Sequence, residues 1–127
     1  MSIHKSGHSG VSLNPMNDRL FVILQGDVVP EMLSVLNTDL LEYIQTHKVT
    51  LVIFNLSAIA VLDLTEFKAL RSIVCVIKVM GAEVIFTGFN PGIVAYLISV
   101  DADISGINVA SGLNDIDRAL SHLKGDV

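Results

Sequence analysis

What most constrains the fold of this chain is an alternation: short apolar runs of strand length are each followed by a longer stretch whose apolar residues recur with helical spacing. The clearest pair is Leu51 to Leu56, followed by Leu64 to Met80, in which Phe67, Leu70, Val74 and Ile77 form one stripe. The same alternation joins Arg19–Gln25 to a helix from about 30 to 47, with Leu33, Leu36, Leu40 and Ile44 on one face. It joins Ala82–Thr87 to a helix from Pro91 to about Ile98. It also joins Gly106–Val109 to a last helix marked by Leu113, Ile116, Leu120 and Leu123. Strands that alternate with helices call for right-handed crossovers and a largely parallel sheet. A length of 127 residues holds one such domain.

Local punctuation supports these boundaries. Val11 to Asn14 reads as a short edge strand stopped by Pro15, and Met16-Asn17-Asp18 as the turn of an opening hairpin. Pro30 suits a first helical position, and Gly81 the residue just past a helix end. Asn90 and Pro91 supply a cap and a first-turn proline, and Ser111 a cap for the last helix. The expected order is ββαβαβαβα: an α/β domain over residues 10–124, with a mixed, mostly parallel sheet and about four flanking helices. Residues 1–9 are expected to form a mobile tail and residues 125–127 a short C-terminal one.

Composition removes several classes of function. The net charge is −5 and the few basic residues are dispersed, so no electrostatic footprint for nucleic acid exists. No apolar stretch reaches the roughly 18 residues that cross a bilayer. Met1 to Gly7 lacks the apolar core of a signal peptide, and the single cysteine, Cys75, has no partner for an internal disulfide, which together point to the cytoplasm. Cys75 stands among Ile73, Val74 and Val76 and is expected to pack in or near the core. With 51% hydrophobic and only 17% charged residues, the chain has apolar surface to spare for homo- or hetero-association.

Few residues have the pattern of catalysis. No dinucleotide, P-loop or nucleophile-elbow motif occurs. His4 and His8 have metal-ligand spacing but stand in a glycine-containing tail with no third ligand; His47 and His122 read as ordinary helical residues. No metal or cofactor is expected. The informative turn is Asp63-Leu64-Thr65. Asp63 reads as an N-cap with Glu66 completing a variant capping box, which puts the Thr65 hydroxyl in a first helical turn. Unpaired N–H groups and the positive dipole end would favour an anion there, making Thr65 a candidate phosphorylation site. Asp63, Thr65, Gly88 and Asn90 all fall at the strand-end edge, where such sheets usually work. A small enzyme or ligand-binding domain using Asn55, Asp63 and Asn90 is the alternative of a different class.

From the strand Val52-Ile53-Phe54-Asn55-Leu56, through Asp63-Leu64-Thr65, to Gly81-Ala82-Glu83-Val84-Ile85-Phe86-Thr87-Gly88-Phe89-Asn90-Pro91, the sequence resembles the STAS domain. The likeness covers about residues 10–124, and the last string is most similar to the stressosome scaffold branch. The resemblance implies a protein–protein interaction module and not an enzyme, with a switch serine/threonine kinase or an anti-sigma factor as partner, alongside related STAS proteins. It also implies a phosphorylated Ser or Thr one or two places after the aspartate. Leu64 occupies the first place, where the stressosome branch has its hydroxyl; Thr65 matches the second, used by anti-sigma factor antagonists. Leu64, Glu66, Gly88 and Asn90 would then surround the regulated surface. Two roles follow: a stressosome-type scaffold, or a soluble antagonist that binds an anti-sigma factor directly.

Overall fold

In the computed structural model, residues 10–112 and 115–124 are described. The hairpin β1 (Val11–Met16) and β2 (Arg19–Gln25) leads to α1 (Pro30–Thr46), β3 (Leu51–Ala58), α2 (Leu64–Val79), β4 (Glu83–Thr87), α3 (Pro91–Ser99), β5 (Val109–Ala110) and α4 (Ile116–Lys124). The strands lie in the sheet in chain order, β1 antiparallel to β2 and every later pair parallel. This is the α/β architecture with an opening hairpin that the alternation predicts.

Chain order and spatial order being the same has a consequence. Successive right-handed crossovers that step in one direction put all their helices on one face. Accordingly α1, α2 and α3 share a single core with Leu20, Val22, Leu24, Val52, Phe54, Leu56, Val84 and Phe86, the residues of one pleat parity. Phe54 and Phe86 stand opposite each other in the β3–β4 register and stack with ring centroids 5.0 Å apart. The other parity, Leu51, Ile53 and Ile85, is covered by α4 through Ile116, Ala119, Leu120 and Leu123. Arg19 ties that helix to the start of β2 through Asp117, at 2.5 Å.

Several boundaries differ from the sequence reading. Pro15 does not stop β1, which continues to Met16. The Gln25 N–H donates to Gly10 O, so in this antiparallel ladder residues 10, 12, 14 and 16 bond to β2 while Pro15 turns its nitrogen outward. On an edge strand a proline there forfeits no ladder bond. The β3 strand runs on to Ala58, and β5 is only Val109–Ala110 in place of the expected Gly106–Val109. Cys75 is exposed, not packed in the core, because the buried stripe of α2 is Phe67, Leu70, Ile73, Val74 and Ile77, and position 75 points away from it. The Ser111 hydroxyl reaches the Asp115 carboxylate, but α4 starts only at Ile116, too far on for Ser111 to be its cap. Leu113, like His4 and His8, lies outside the described residues.

Candidate functional site

The parallel strands β3 and β4 both end at one edge, and the loops leaving them start α2 and α3. At the start of α2 the expected capping box is complete: the Glu66 N–H donates to Asp63 Oδ1 at 2.8 Å, and the Asp63 N–H donates to Glu66 Oε1 at 3.0 Å. Thr65 follows as the second helical residue and is exposed, with Leu64 and Glu66 half-buried beside it. The start of α3 is built the same way, with Asn90 Oδ1 accepting the Ile93 N–H at 3.0 Å.

The two helix starts are joined. Asn90 Nδ2 donates to Ala60 O in the loop before α2, at 3.4 Å. More directly, the Leu64 N–H donates to the hydroxyl oxygen of Tyr96, on α3, at 3.2 Å. Sequence reasoning missed Tyr96, since nothing local signals a contact between residues thirty-two positions apart. That contact corrects the expectation of a largely unpaired helix end. Of the four N–H groups from Asp63 to Glu66, Glu66 takes the first, Tyr96 the second and Asp63 the fourth; the Thr65 N–H has no acceptor among the described residues.

Gly88 has a positional reason. Its φ is +79°, and a Cβ there would lie 2.7 Å from the backbone nitrogen of Ser57, so only glycine lets the β4 end approach the β3 end this closely. Asn55, on β3, accepts from the Ser57 N–H at 2.9 Å and from its hydroxyl at 2.7 Å.

The structure does not gather Asn55, Asp63 and Asn90 into one pocket. Asp63 lines a groove of about 320 Å³ with Ala60, Val61, Leu62, Gly92, Ile93 and Tyr96, between the loop and α3. Asn55 belongs to a separate groove of about 300 Å³ on the opposite face of the sheet, with Met16, Phe21, Ile23 and Ile53. Among the described residues no three His, Cys, Asp or Glu side chains converge as a metal site, and no helix is long and apolar enough to cross a membrane. His47, read from sequence as an ordinary helical residue, is the C-cap of α1; it stacks on Tyr43 with centroids 3.9 Å apart, and its Nδ1 lies 2.9 Å from the Thr46 hydroxyl.

No protein-family model matches the chain, and no curated protein does. Solved structures do. A Ser-to-Glu variant of Moorella thermoacetica RsbS aligns with a TM-score of 0.73 and 19% identity, over 90% of this chain and 97% of that one. A structure describing the molecular architecture of the stressosome, "a signal integration and transduction hub", gives 0.69 and 19% over 88% and 97%. The unphosphorylated anti-sigma factor antagonist SpoIIAA gives 0.65 and 13% over 92% and 98%. A structure of Bacillus SpoIIAA in the phosphorylated form matches with a TM-score of 0.62 and 14% identity over 85% and 97%. At these identities the likeness speaks for architecture, and in architecture the chain has the STAS fold, as it occurs in RsbS, the stressosome and SpoIIAA.

Proposed function

We propose that the chain is a non-catalytic protein–protein interaction module of a partner-switching pathway, cytoplasmic, and regulated by phosphorylation of Thr65. In this reading it is a stressosome-type scaffold that holds a switch serine/threonine kinase and assembles with related STAS proteins. The observation that carries the reading is the Thr65 hydroxyl, exposed in the first turn of α2 between the two capping carboxylates, at the strand-end edge of a STAS fold.

The largely engaged helix end supports a switch that acts on the partner. A phosphate adds a charge of about −1.5 to −2. Three of the four donors at this helix start are already engaged, so the phosphate gains few bonds from its own chain. It stands instead beside Asp63 and Glu66 and makes the surface strongly acidic. Its effect falls on the partner: a docked surface that is acidic or apolar is repelled or desolvated at a cost, and is released.

The second reading, a soluble antagonist of an anti-sigma factor, is favoured by one detail. Leu64 stands where the resemblance gives the stressosome branch its hydroxyl, and Thr65 where it gives the antagonists theirs. Mass spectrometry after incubation with a cognate kinase and ATP tests both at the shared point. Phosphate is expected on Thr65 and absent from Thr65→Val; phosphate elsewhere, or none, sinks the assignment. Particle size with related STAS proteins then separates the two, many subunits for the scaffold and a small species for the antagonist.

A further inference from the structure

On the face of the sheet opposite α1, α2 and α3, helix α4 covers Leu51, Ile53 and Ile85. Beside it a groove of about 300 Å³ stays open, walled by Met16, Phe21, Ile23 and Ile53, and among the described residues none of α4 lines it. No lining side chain is charged. Two polar side chains stand at its strand-end side. Asn55 and Thr87 are partners in the β3–β4 register, so they sit next to each other on one pleat face.

Both carry hydrogen-bonding capacity that the chain leaves unused. Asn55 Oδ1 accepts the N–H and the hydroxyl of Ser57, which fixes the orientation of the amide and leaves Nδ2 with no acceptor among the described residues. Asparagine is an unfavourable strand residue, so strand formation does not explain its place between Ile23 and Thr87. Thr87 is only 5% exposed, yet its hydroxyl lies 3.5 Å from Phe54 O, beyond the roughly 2.5–3.0 Å of a good hydroxyl bond. Polar groups withdrawn from water without good partners cost free energy, and a ligand that bonds to them removes that cost.

We infer that this groove is a small-molecule site for a neutral ligand with an apolar ring body and a cyclic-amide edge. The Asn55 amide donates to the carbonyl of the ligand, and the neighbouring Thr87 hydroxyl accepts from the ring N–H beside it. Phe21, Ile23 and Ile53 face the ring, and the unbranched Met16 side chain, 58% exposed, adapts to its outer edge. Charge selects as well. With no cation in the lining and a net charge of −5 on the chain, carboxylates and phosphates are disfavoured. Apolar walls with a few placed polar groups are the make-up of a small-ligand cleft, and the carboxyl ends of parallel strands are where such clefts form. An apolar side chain of a protein partner would fill the walls but leave both polar groups without bonds, which makes it the poorer occupant.

Thr65, at the start of a helix on the other face of the sheet, takes no part in this groove, so the switch and the ligand site are read separately. The probe is 2-quinolone, a neutral bicyclic lactam, titrated into the isotope-labelled full chain and followed by NMR. A Kd of about 1 mM or tighter is expected, with shifts centred on Phe21, Ile23, Ile53, Asn55 and Thr87 and on the Asn55 side-chain amide signal. The methyl derivative 1-methyl-2-quinolone, which lacks the N–H, should bind on the order of fivefold more weakly, and quinoline, which lacks the carbonyl too, more weakly still. Thr87→Val should weaken 2-quinolone by a similar factor, and Asn55→Asp, which keeps an acceptor for Ser57, by at least about tenfold. Absence of 2-quinolone binding, or shifts centred elsewhere, overturns the site. Equal affinity for all three probes overturns it too, and leaves the groove a seat for any apolar group, the side chain of a protein partner included. The three probes are compared on the unaltered chain, so the outcome stands even where a variant fails to fold.

Discussion

Helices α2 and α3 start at the same edge of the sheet and are built alike at their N-termini, yet they differ on the side that faces water. Each is capped by an Asx side chain that accepts the N–H three residues on, and each buries a stripe in the same core. Beyond the stripe, α2 carries Lys68, Arg71 and Lys78, while α3 has no charge in nine residues. A solvated helix face is normally polar, and α2 follows that rule with its three cations, although Val76 and Val79 are also exposed on it. On α3 the exposed positions Val94, Tyr96 and Ile98 are uncharged. One edge of the fold thus places a capped, polar turn next to an uncharged helix, with the Tyr96 hydroxyl on the Leu64 N–H joining them.

The largest expected effects test whether the stripe and the outer face of these helices really differ. Phe67 is fully buried at the foot of α2, and Phe67→Ala should cost about 3–5 kcal/mol of unfolding free energy through lost burial and a cavity. Ile98→Ala on the outer side of α3 should stay within about 0.5 kcal/mol at a protein concentration low enough to keep the chain monomeric. Urea denaturation of both variants decides. Similar losses would mean that Ile98 is buried within one chain, and the contrast between the two helices would collapse.

Much of this contrast was legible in the sequence. The stripe Phe67, Leu70, Val74 and Ile77 fixed the inner face of α2, and Asp63 with Glu66 fixed its first turn, because periodicity and capping act over three or four residues. Asn90-Pro91 marked the start of α3 for the same reason. What the sequence hid was decided across elements. Pro15 stays in β1 because the ladder parity turns its nitrogen outward, which depends on how β2 pairs with it. Tyr96 reaches Leu64 only because two crossovers place their helices on one face. Cys75 was misread because its neighbours Ile73 and Val74 are apolar, although the helical angle puts it outside.

The next effects are smaller and concern the join. Asp63→Ala should cost about 0.5–2 kcal/mol, since it leaves the Glu66 N–H without its cap, while the backbone N–H at position 63 can still donate to the Glu66 side chain. Tyr96→Phe removes only the acceptor for the Leu64 N–H and should cost about 0.5–1.5 kcal/mol, toward the lower end at a site open to water. Combined in one chain, the two changes should not add, because both act on the same turn. Strict additivity in thermal melts would show that Tyr96 touches α2 without supporting its first turn.

The smallest effect is a pH dependence in the loop that presents Ile104. The Asp103 carboxylate accepts from the Ser105 hydroxyl at 2.7 Å and from its N–H at 3.0 Å, and Arg71 lies beside it. The hydrogen bond from the Ser105 side chain, foremost, holds the Asp103 pKa below its usual range, with the Ser105 N–H and Arg71 helping. A carboxylate whose pKa is lowered by folding contributes stability above its unfolded pKa and loses that contribution as the pH falls through the folded value. At neutral pH the chain should therefore be slightly more stable than Asp103→Ala, by a margin kept small because the group is exposed. The gap should shrink on acidification through the carboxylate range, and urea midpoints of the pair at a series of pH values measure it. Asp18, lowered chiefly by its hydrogen bond from Thr50, titrates in both chains alike and cancels from the comparison. A gap that held constant or widened toward acid would mean that the ionised Asp103 does not anchor the loop, leaving Arg71 and Lys78 on their backbone acceptors, Ser105 O and Gly106 O, to hold Ile104 in place.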